Sequence, residues 1–131
     1  KVLIKELLEA GYWLNSNSNL DNIGVISPYR RQADALNNSL RSRWSDFSSN
    51  SIGTVHTFQG GQKSVIILST RQCHLKDSLW FINRRPNLLN VAVSRARELF
   101  ILVGNLKLLR EGEYSKLLVE YIEQFGEIRS F

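Results

Sequence analysis

The segment SVIILST (64–70) decides the fold class, because it is a continuous apolar run and not an alternation of apolar and polar residues. Strands with this pattern are buried on both faces, as in parallel sheets that are covered by helices on each side. IGVIS (23–27) and ELFILVG (98–104) have the same character. We therefore predict an α/β fold around a mostly parallel sheet.

Stretches with helical spacing separate these apolar runs. We predict helices over VLIKELLEAGYWL (2–14), YRRQADALNNSLRSRW (29–44), RRPNLLNVAVSRAR (84–97) and YSKLLVEYIEQF (114–125). The third of them has Pro86 near its first turn, where proline is favoured. IGTVHTF (52–58) is predicted as a further strand, and QGGQK (59–63) as the turn that follows it.

The 131 residues, of which 43% are hydrophobic and 22% charged, have the size and balance of one globular domain, 1–131. The formal charge of +5 and the isoelectric point near 9.7 favour polyanionic partners such as nucleic acid or nucleotide phosphates. A basic surface that only keeps the chain in solution would give the same charge. The sequence contains no methionine, which leads us to expect a piece of a longer polypeptide.

Cysteine content and hydropathy disfavour several classes of protein. A single cysteine, Cys73, cannot form an internal disulfide, so we expect a reducing compartment. Together with His56 and His74 it matches no known ligand spacing, and no metal site is predicted. The sequence has neither a recognisable signal peptide nor an apolar run of transmembrane length. A cytoplasmic location without a membrane partner is the expectation that follows.

Polar and aromatic residues stand directly next to the predicted strands. In α/β folds, ligands bind outside the carboxyl ends of the strands. Residues 28–32 follow the first strand, residues 56–60 follow the second, and Arg95 and Arg97 precede the last. We expect these groups to meet at one edge of the sheet, where an aromatic ring, amides and guanidinium groups suit a nucleotide. The sequence has no G-x-x-x-x-G-K-[ST] phosphate loop, so it would supply half of such a site.

Three segments resemble motifs of superfamily 1 helicases. GVISPYRRQADAL (24–36) resembles motif IV, SIGTVHTFQGGQKSVIILST (51–70) motif V, and RRPNLLNVAVSRARELFILVGN (84–105) motif VI. Their order and spacing resemble the second RecA-like domain of the 5′-to-3′ subgroup, which includes the nonsense-decay and Dna-type helicases. The resemblance implies a RecA-like fold of the P-loop NTPase type. It also implies single-stranded DNA or RNA as a partner, and ATP with Mg²⁺ in a cleft shared with a preceding RecA-like domain that holds the metal.

The resemblance assigns nucleotide contacts to motifs IV and V. Tyr29 would lie against the adenine ring, Arg30 near the phosphates, and Gln32 and Gly60 beside the nucleotide. From position alone, Tyr29 could instead pack on the sheet and Gln32 could cap its helix. Where the subgroup has Gly-Arg-Glu-Lys-Asp, this chain has GGQKS at 60–64. Gln62 therefore replaces the glutamate that would hold the ribose, and a weaker contact is expected.

The middle of motif V carries the nucleic-acid contacts that the resemblance implies. Thr54, His56, Thr57 and Gln59 would contact the phosphates of a single strand. Hydroxyl and imidazole groups suit such contacts, which fix the position of the strand without selecting its sequence. A structural role is the alternative for His56.

Two arginines lie near the end of the predicted helix 84–97. Helical spacing puts Arg95 on the side of Leu88 and Val91, whereas Arg97 lies on the polar side. A guanidinium is costly to bury unpaired, so we expect Arg95 to emerge into a cleft that holds an anion. By resemblance Arg95 is the catalytic arginine finger of motif VI, which reaches the γ-phosphate of ATP, and Arg97 is a surface or interdomain residue.

The sequence is thus interpreted as the C-terminal motor domain of an ATP-dependent superfamily 1 helicase or translocase. As an isolated fragment it would be inactive, because half of the ATP site is missing. Two alternatives stay open. A nucleic-acid-binding module with the same fold and no motor activity is compatible with Gln62. An α/β enzyme of unrelated chemistry is disfavoured, since the sequence shows no nucleophile, acid–base pair or metal cluster.

Overall fold

The computed structural model describes residues 2–10, 22–58, 61–70, 81–84 and 86–130. Within them, four parallel strands form one sheet in the order β2-β1-β3-β4. The strands are β1 (Ile23–Ser27), β2 (Ile52–Thr54), β3 (Lys63–Ser69) and β4 (Ala96–Val103). The helices are α1 (Val2–Glu9), α2 (Arg30–Arg41), α3 (Pro86–Ser94), α4 (Leu106–Leu109) and α5 (Glu113–Phe125). A parallel sheet flanked by helices confirms the predicted α/β, RecA-like arrangement.

β3 is covered on both faces, as its apolar run predicts. Val65 and Ile67 belong to one apolar cluster and Ile66 and Leu68 to another, because successive side chains of a strand point to opposite faces. The first core cluster joins the sheet to α1 and α2 and contains Ile4, Leu7, Ile23, Val25, Leu40, Phe47, Ile52, Val65 and Ile67. The second core cluster joins the other face to α3, α4 and α5 and contains Ile26, Val55, Phe58, Ile66, Leu68, Ile82, Leu88, Leu89, Ala92, Leu109 and Val119.

β2 is shorter than the predicted strand 52–58, because it ends at Thr54. The Thr54 carbonyl accepts hydrogen bonds from the backbone N–H groups of Thr57 and Phe58, at 3.1 and 2.8 Å. These bonds turn the chain over residues 55–57. The strand prediction is therefore wrong in its second half.

α3 ends before the predicted boundary at residue 97. It stops at Ser94, and Arg97 lies in β4. The Arg95 carbonyl accepts a 2.9 Å hydrogen bond from the Lys63 backbone N–H, where the pairing of β4 with β3 begins. The helical sides predicted for Arg95 and Arg97 are wrong for this reason, and Val91, expected on the apolar side, is 37% exposed.

β4 lies at one edge of the described sheet, and all its residues are half-buried or exposed. Its apolar run predicts a buried strand, and this expectation is wrong because β4 pairs with β3 alone among the described strands. The predicted helix 2–14 is observed as α1, and residues 11–14 lie outside the described part of the chain. No helix in the described ranges is long and apolar enough to cross a membrane.

Asn83 joins the segment before α3 to the start of α5. Its Oδ1 accepts hydrogen bonds from the backbone N–H groups of Tyr114 and Ser115, each at 2.8 Å. Its Nδ2 donates to the Ser115 hydroxyl at 3.1 Å, and that hydroxyl donates to the Leu109 carbonyl at 2.7 Å. The residue at the N-cap of α5 is Gly112, which has no side chain to cap the helix. Asn83 therefore satisfies the first N–H groups of α5 from a distant part of the chain.

We expect Asn83→Ala to lower the free energy of unfolding by about 1–2 kcal/mol, because helix N–H groups lose their acceptor. Asn83→Asp keeps that acceptor and places a negative charge at a helix N-terminus, so it should cost less. Urea unfolding of the 131-residue chain, followed by circular dichroism, measures both. Asn87→Ala, an exposed asparagine of α3, is the matched control. Equal losses for the two alanine variants would contradict the assignment.

Candidate functional site

The carboxyl ends of β1 and β2 are neighbours in the parallel sheet. Tyr29 precedes α2, and its half-buried ring lies 5.6 Å from the Phe81 ring, centroid to centroid. Arg30 is largely exposed, with its Nε 3.8 Å from the Asp34 carboxylate one helical turn further on. An aromatic edge and a guanidinium therefore stand at the start of α2, as the sequence predicts, and the Tyr29 ring has a protein partner in Phe81.

Gln32 links the carboxyl ends of β1 and β3. The Ser27 hydroxyl, which is fully buried, donates to Gln32 Oε1 at 2.9 Å, and Gln32 Nε2 donates to the Ser69 hydroxyl at 3.0 Å. The Tyr29 backbone N–H donates to the same Ser27 hydroxyl at 3.2 Å. These hydrogen bonds of Gln32 go to the ends of β1 and β3 and not to the backbone of α2. Its amide instead fixes the turn that carries Tyr29 against the end of β3.

Thr54 and Thr57 bind each other across the turn after β2. The Thr54 N–H donates to the Thr57 hydroxyl at 2.9 Å, and the Thr57 N–H donates to the Thr54 hydroxyl at 3.1 Å. The two hydroxyls lie 2.8 Å apart. Thr54 is buried, whereas His56 and Thr57 are exposed. The surface of this turn is therefore formed by His56 and Thr57, with Thr54 holding it from inside.

Gln62 and Arg95 lie at the amino ends of β3 and β4, which we call the amino edge of the sheet. Tyr29 lies at the other end, where β1 finishes. Gln62 Nε2 donates to the Ser94 carbonyl at 3.3 Å, and Arg95 Nη1 donates to the Gly61 carbonyl at 3.3 Å. Both residues directly precede strands, whereas Tyr29 follows one, and all described strands are parallel. The seven residues of β3 separate the edges by about 20 Å. The expectation that Arg95 meets residues 28–32 and 56–60 at one end of the strands is therefore wrong.

The Arg95 guanidinium lies over an aromatic ring. Its Cζ is 5.8 Å from the centroid of the Phe58 ring, which belongs to the second core cluster. Its Nε is buried and has no hydrogen-bond partner in the described structure. Arg97 is exposed on β4. The structure thus separates the two arginines, with Arg95 half-buried against the protein and Arg97 facing solvent.

The sequence does not point to several residues of this surface, and two of the predicted residues lie outside the described part of the chain. Gln59 and Gly60 lie outside the described residues. Ser27 and Ser69 end apolar strands, a position that could have marked them as polar links between strand ends. Phe58 carries no such signal, because a phenylalanine is usually a core residue.

A known family, described as the AAA domain, matches residues 2–107. The chain belongs to this family. Its relatives include an uncharacterized ATP-dependent helicase of Caenorhabditis elegans, 38% identical over 110 residues that cover 84% of this chain and 7% of the relative. The DNA polymerase alpha-associated DNA helicase A of Saccharomyces cerevisiae is 33% identical over 129 residues, covering 97% of this chain and 18% of the relative.

A third relative, the putative helicase MOV-10 of Gallus gallus, is 32% identical over 121 residues that cover 83% of this chain and 12% of the relative. The chain therefore spans less than a fifth of the length of these curated relatives. Together with the fold and the order of motifs IV, V and VI, they identify the chain as a C-terminal RecA-like motor domain of the superfamily 1 helicase type.

In this AAA domain, Gln32→Ala should lower the free energy of unfolding by about 1–2 kcal/mol, because the buried Ser27 hydroxyl loses its acceptor. Arg31→Ala, at the exposed neighbouring position, should change it by less than about 0.5 kcal/mol. Urea unfolding of the 131-residue variants measures both values. A Gln32→Ala variant as stable as Arg31→Ala would mean that the link between β1 and β3 is not needed for stability.

Proposed function

We propose that this domain completes the ATP site of a helicase or translocase that moves along single-stranded nucleic acid. Residues 1–131 would form one RecA-like domain, and a preceding RecA-like domain of the same polypeptide would face it. Names of the relatives support ATP use, since one is called an ATP-dependent helicase. The observation that carries the proposal is the half-buried Arg95 at the amino edge of the sheet, whose Nε has no hydrogen-bond partner among the described residues.

Arg95 is equipped to bind an anion. An unsatisfied buried N–H costs about 1–3 kcal/mol, and a charged oxygen acceptor would remove that cost. Guanidinium groups bind phosphate oxygens through two parallel hydrogen bonds, which lysine cannot reproduce. Only Nη1 of Arg95 has a protein acceptor among the described residues, the Gly61 carbonyl. The other N–H groups fit the role of an arginine finger for the γ-phosphate of ATP.

The rest of the ATP site would come from the preceding domain. The 131 residues contain no G-x-x-x-x-G-K-[ST] phosphate loop. Among the described residues, no group of three or more His, Cys, Asp and Glu could hold a metal ion. The reacting γ-phosphoryl group belongs to ATP, and its Mg²⁺ would be held by the other domain. The isolated chain should therefore lack ATPase activity.

Tyr29, Arg30, Gln32, Gly60 and Gln62 remain the proposed nucleotide contacts. The start of α2 and the amino edge of the sheet lie at opposite ends of the strands. Adenine and ribose are directly bonded, so one nucleotide would meet Tyr29 and Gln62 together only if these two side chains lay closer to each other than the two ends of the strands do. Gln32 would act by fixing Tyr29, because both ends of its amide are used within the protein.

The nucleic acid would be bound at the turn after β2. His56 and Thr57 are exposed there, and Thr54 holds the turn in shape. Gln59 follows in the sequence and is the fourth proposed contact. Relatives carry the names DNA helicase, DNA-binding protein and RNA helicase, so either nucleic acid suits the family. The net charge of +5 supports binding to phosphates.

One observation favours a second candidate, a nucleic-acid-binding module without motor activity. Gln62 stands where the subgroup has a ribose-binding glutamate, and its amide is bound to the Ser94 carbonyl. A neutral side chain that already has a partner would bind a ribose hydroxyl more weakly than a carboxylate. The ATPase experiment below separates the two candidates.

Binding of single strands by the parent protein should be insensitive to sequence and should weaken steeply with salt, because phosphate contacts release counterions. Fluorescence anisotropy with labelled oligonucleotides at increasing salt measures this. A sequence-specific interaction with a flat salt response would contradict binding through phosphates.

Arg95→Ala in the parent protein should lower ATP hydrolysis by about 10³–10⁵-fold with little loss of ATP affinity, since an arginine finger neutralises charge that develops in the transition state. Arg95→Lys should rescue poorly. Steady-state ATPase assays at saturating single strand measure these rates, with thermal melting to check folding.

Arg97→Ala, at the exposed position two residues further on, is the matched control and should cost far less. Hydrolysis by Arg95→Ala at nearly the wild-type rate would show that Arg95 is not the finger. No hydrolysis by the wild-type parent protein would favour the binding module instead.

A further inference from the structure

Phe58 occupies a fixed position beneath Arg95. Its ring is 3% exposed and packs within the second core cluster. The ring edge approaches Gly24 so closely that a Cβ at residue 24 would lie 2.7 Å from Phe58 Cζ and 2.7 Å from Ile66 Cδ1. The absence of a side chain at Gly24 thus makes room for the ring, and β1 and β3 hold it in place. A side chain that packs on the face of this ring is therefore fixed in position by it.

The contact between Arg95 and this ring uses none of the arginine's hydrogen-bond donors, of which Nη1 is bound to the Gly61 carbonyl. A cation within about 6 Å of a ring centroid is attracted to the negative face of the π system. The distance here is 5.8 Å. No ion pair between Arg95 and a carboxylate occurs within the described residues. A carboxylate would neutralise the charge of Arg95 and occupy its N–H groups. An aromatic face does neither, so the positive charge can still attract an incoming anion.

We propose that Phe58 is a positioning residue that holds the Arg95 guanidinium in its phosphate-binding orientation. Phe58 would not touch the nucleotide and would act through Arg95. The proposal rests on the proposed function, because it takes Arg95 to be the arginine finger. It adds a specific support for that residue, in which the Phe58 face and the Gly61 carbonyl hold one part of the guanidinium, while the buried Nε has no hydrogen-bond partner among the described residues.

The test compares Phe58→Leu with Ile66→Val in the parent protein. Phe58→Leu removes the π face and keeps an apolar side chain, whereas Ile66→Val removes a methyl group from the same core cluster and keeps the ring. We expect Phe58→Leu to lower kcat by about 3- to 30-fold, with KM for ATP changed by less than about twofold. Ile66→Val should keep both values near wild type. The double variant Phe58→Leu/Arg95→Ala should be no slower than Arg95→Ala alone, because both changes act on one group.

A second readout needs neither nucleotide nor activity. Phenylglyoxal modifies accessible guanidinium groups, and mass spectrometry of the parent protein gives the rate at Arg95. Phe58→Leu should raise that rate several-fold, and Ile66→Val should not. Di- and trifluorinated phenylalanines at position 58 keep the ring shape and weaken its negative face. The kcat should fall progressively with fluorine number, and this series replaces Phe58→Leu if that variant does not fold.

The possible failures are distinguishable. If Arg95→Ala is inactive while Phe58→Leu matches Ile66→Val in kcat and in Arg95 modification, the positioning role is wrong and the arginine finger stands. A kcat that does not change across the fluorinated series would overturn it equally. If Arg95→Ala hydrolyses ATP at the wild-type rate, the proposed function fails, and the positioning role defined by it fails too. The modification rates then report only whether Phe58 holds Arg95.

Discussion

Burial of β3 on both faces is the constraint on which the rest of the structure depends. Val65, Ile66, Ile67 and Leu68 are all buried, and each side chain removed from water contributes about 1.5–3 kcal/mol. Because both faces are apolar, polarity alone cannot fix the register of this strand. Polar links at its carboxyl end supply what is missing. Gln32 binds Ser69, and the N–H and hydroxyl of Thr70 donate to the Val103 carbonyl at 2.9 and 3.1 Å.

The parallel arrangement that covers β3 also decides where chemistry can occur. Each connection between parallel strands must carry the chain from one edge of the sheet back to the other. The last residues of each connection therefore lie at the amino ends of the strands. Arg95 is one of them, because it directly precedes β4. Gly61 stands at the same edge with φ +60°, a left-handed conformation that costs a non-glycine residue about 1–2 kcal/mol. Its carbonyl receives Arg95 Nη1, so a change there would alter the same support.

Sequence reasoning was reliable where local signals and burial agree. The bounds of β1 match the apolar run 23–27, and β3 differs from 64–70 by one residue at each end. The predicted bounds are wrong where a contact with another residue sets the end of the element. The end of α3 is set by pairing with Lys63, which a helical period through Ala96 and Arg97 could not reveal. The end of β2 is set by mutual bonds of Thr54 and Thr57, residues whose composition also suits a strand.

The candidate site was predictable in the identity of its residues more than in their arrangement. Motif resemblance pointed to Arg95, yet its aromatic support comes from Phe58, far away in the sequence. The sequence predicts a nucleotide contact or a helix cap for Gln32, and neither prediction includes its partner Ser69, which lies 37 residues away. Contacts of this kind depend on tertiary packing, so the local spacing of apolar and polar residues does not predict them.

The most direct test of the central claim, that Arg95 reaches a phosphate from the amino edge of the sheet, is a structure of the parent protein. It should hold a single strand and ADP–aluminium fluoride, which mimics the phosphoryl group in transit. We expect an Arg95 guanidinium nitrogen within about 2.7–3.2 Å of a fluoride ligand, with the Phe58 ring still beneath it. An Arg95 that points away while another arginine of this domain contacts the fluoride would contradict the claim.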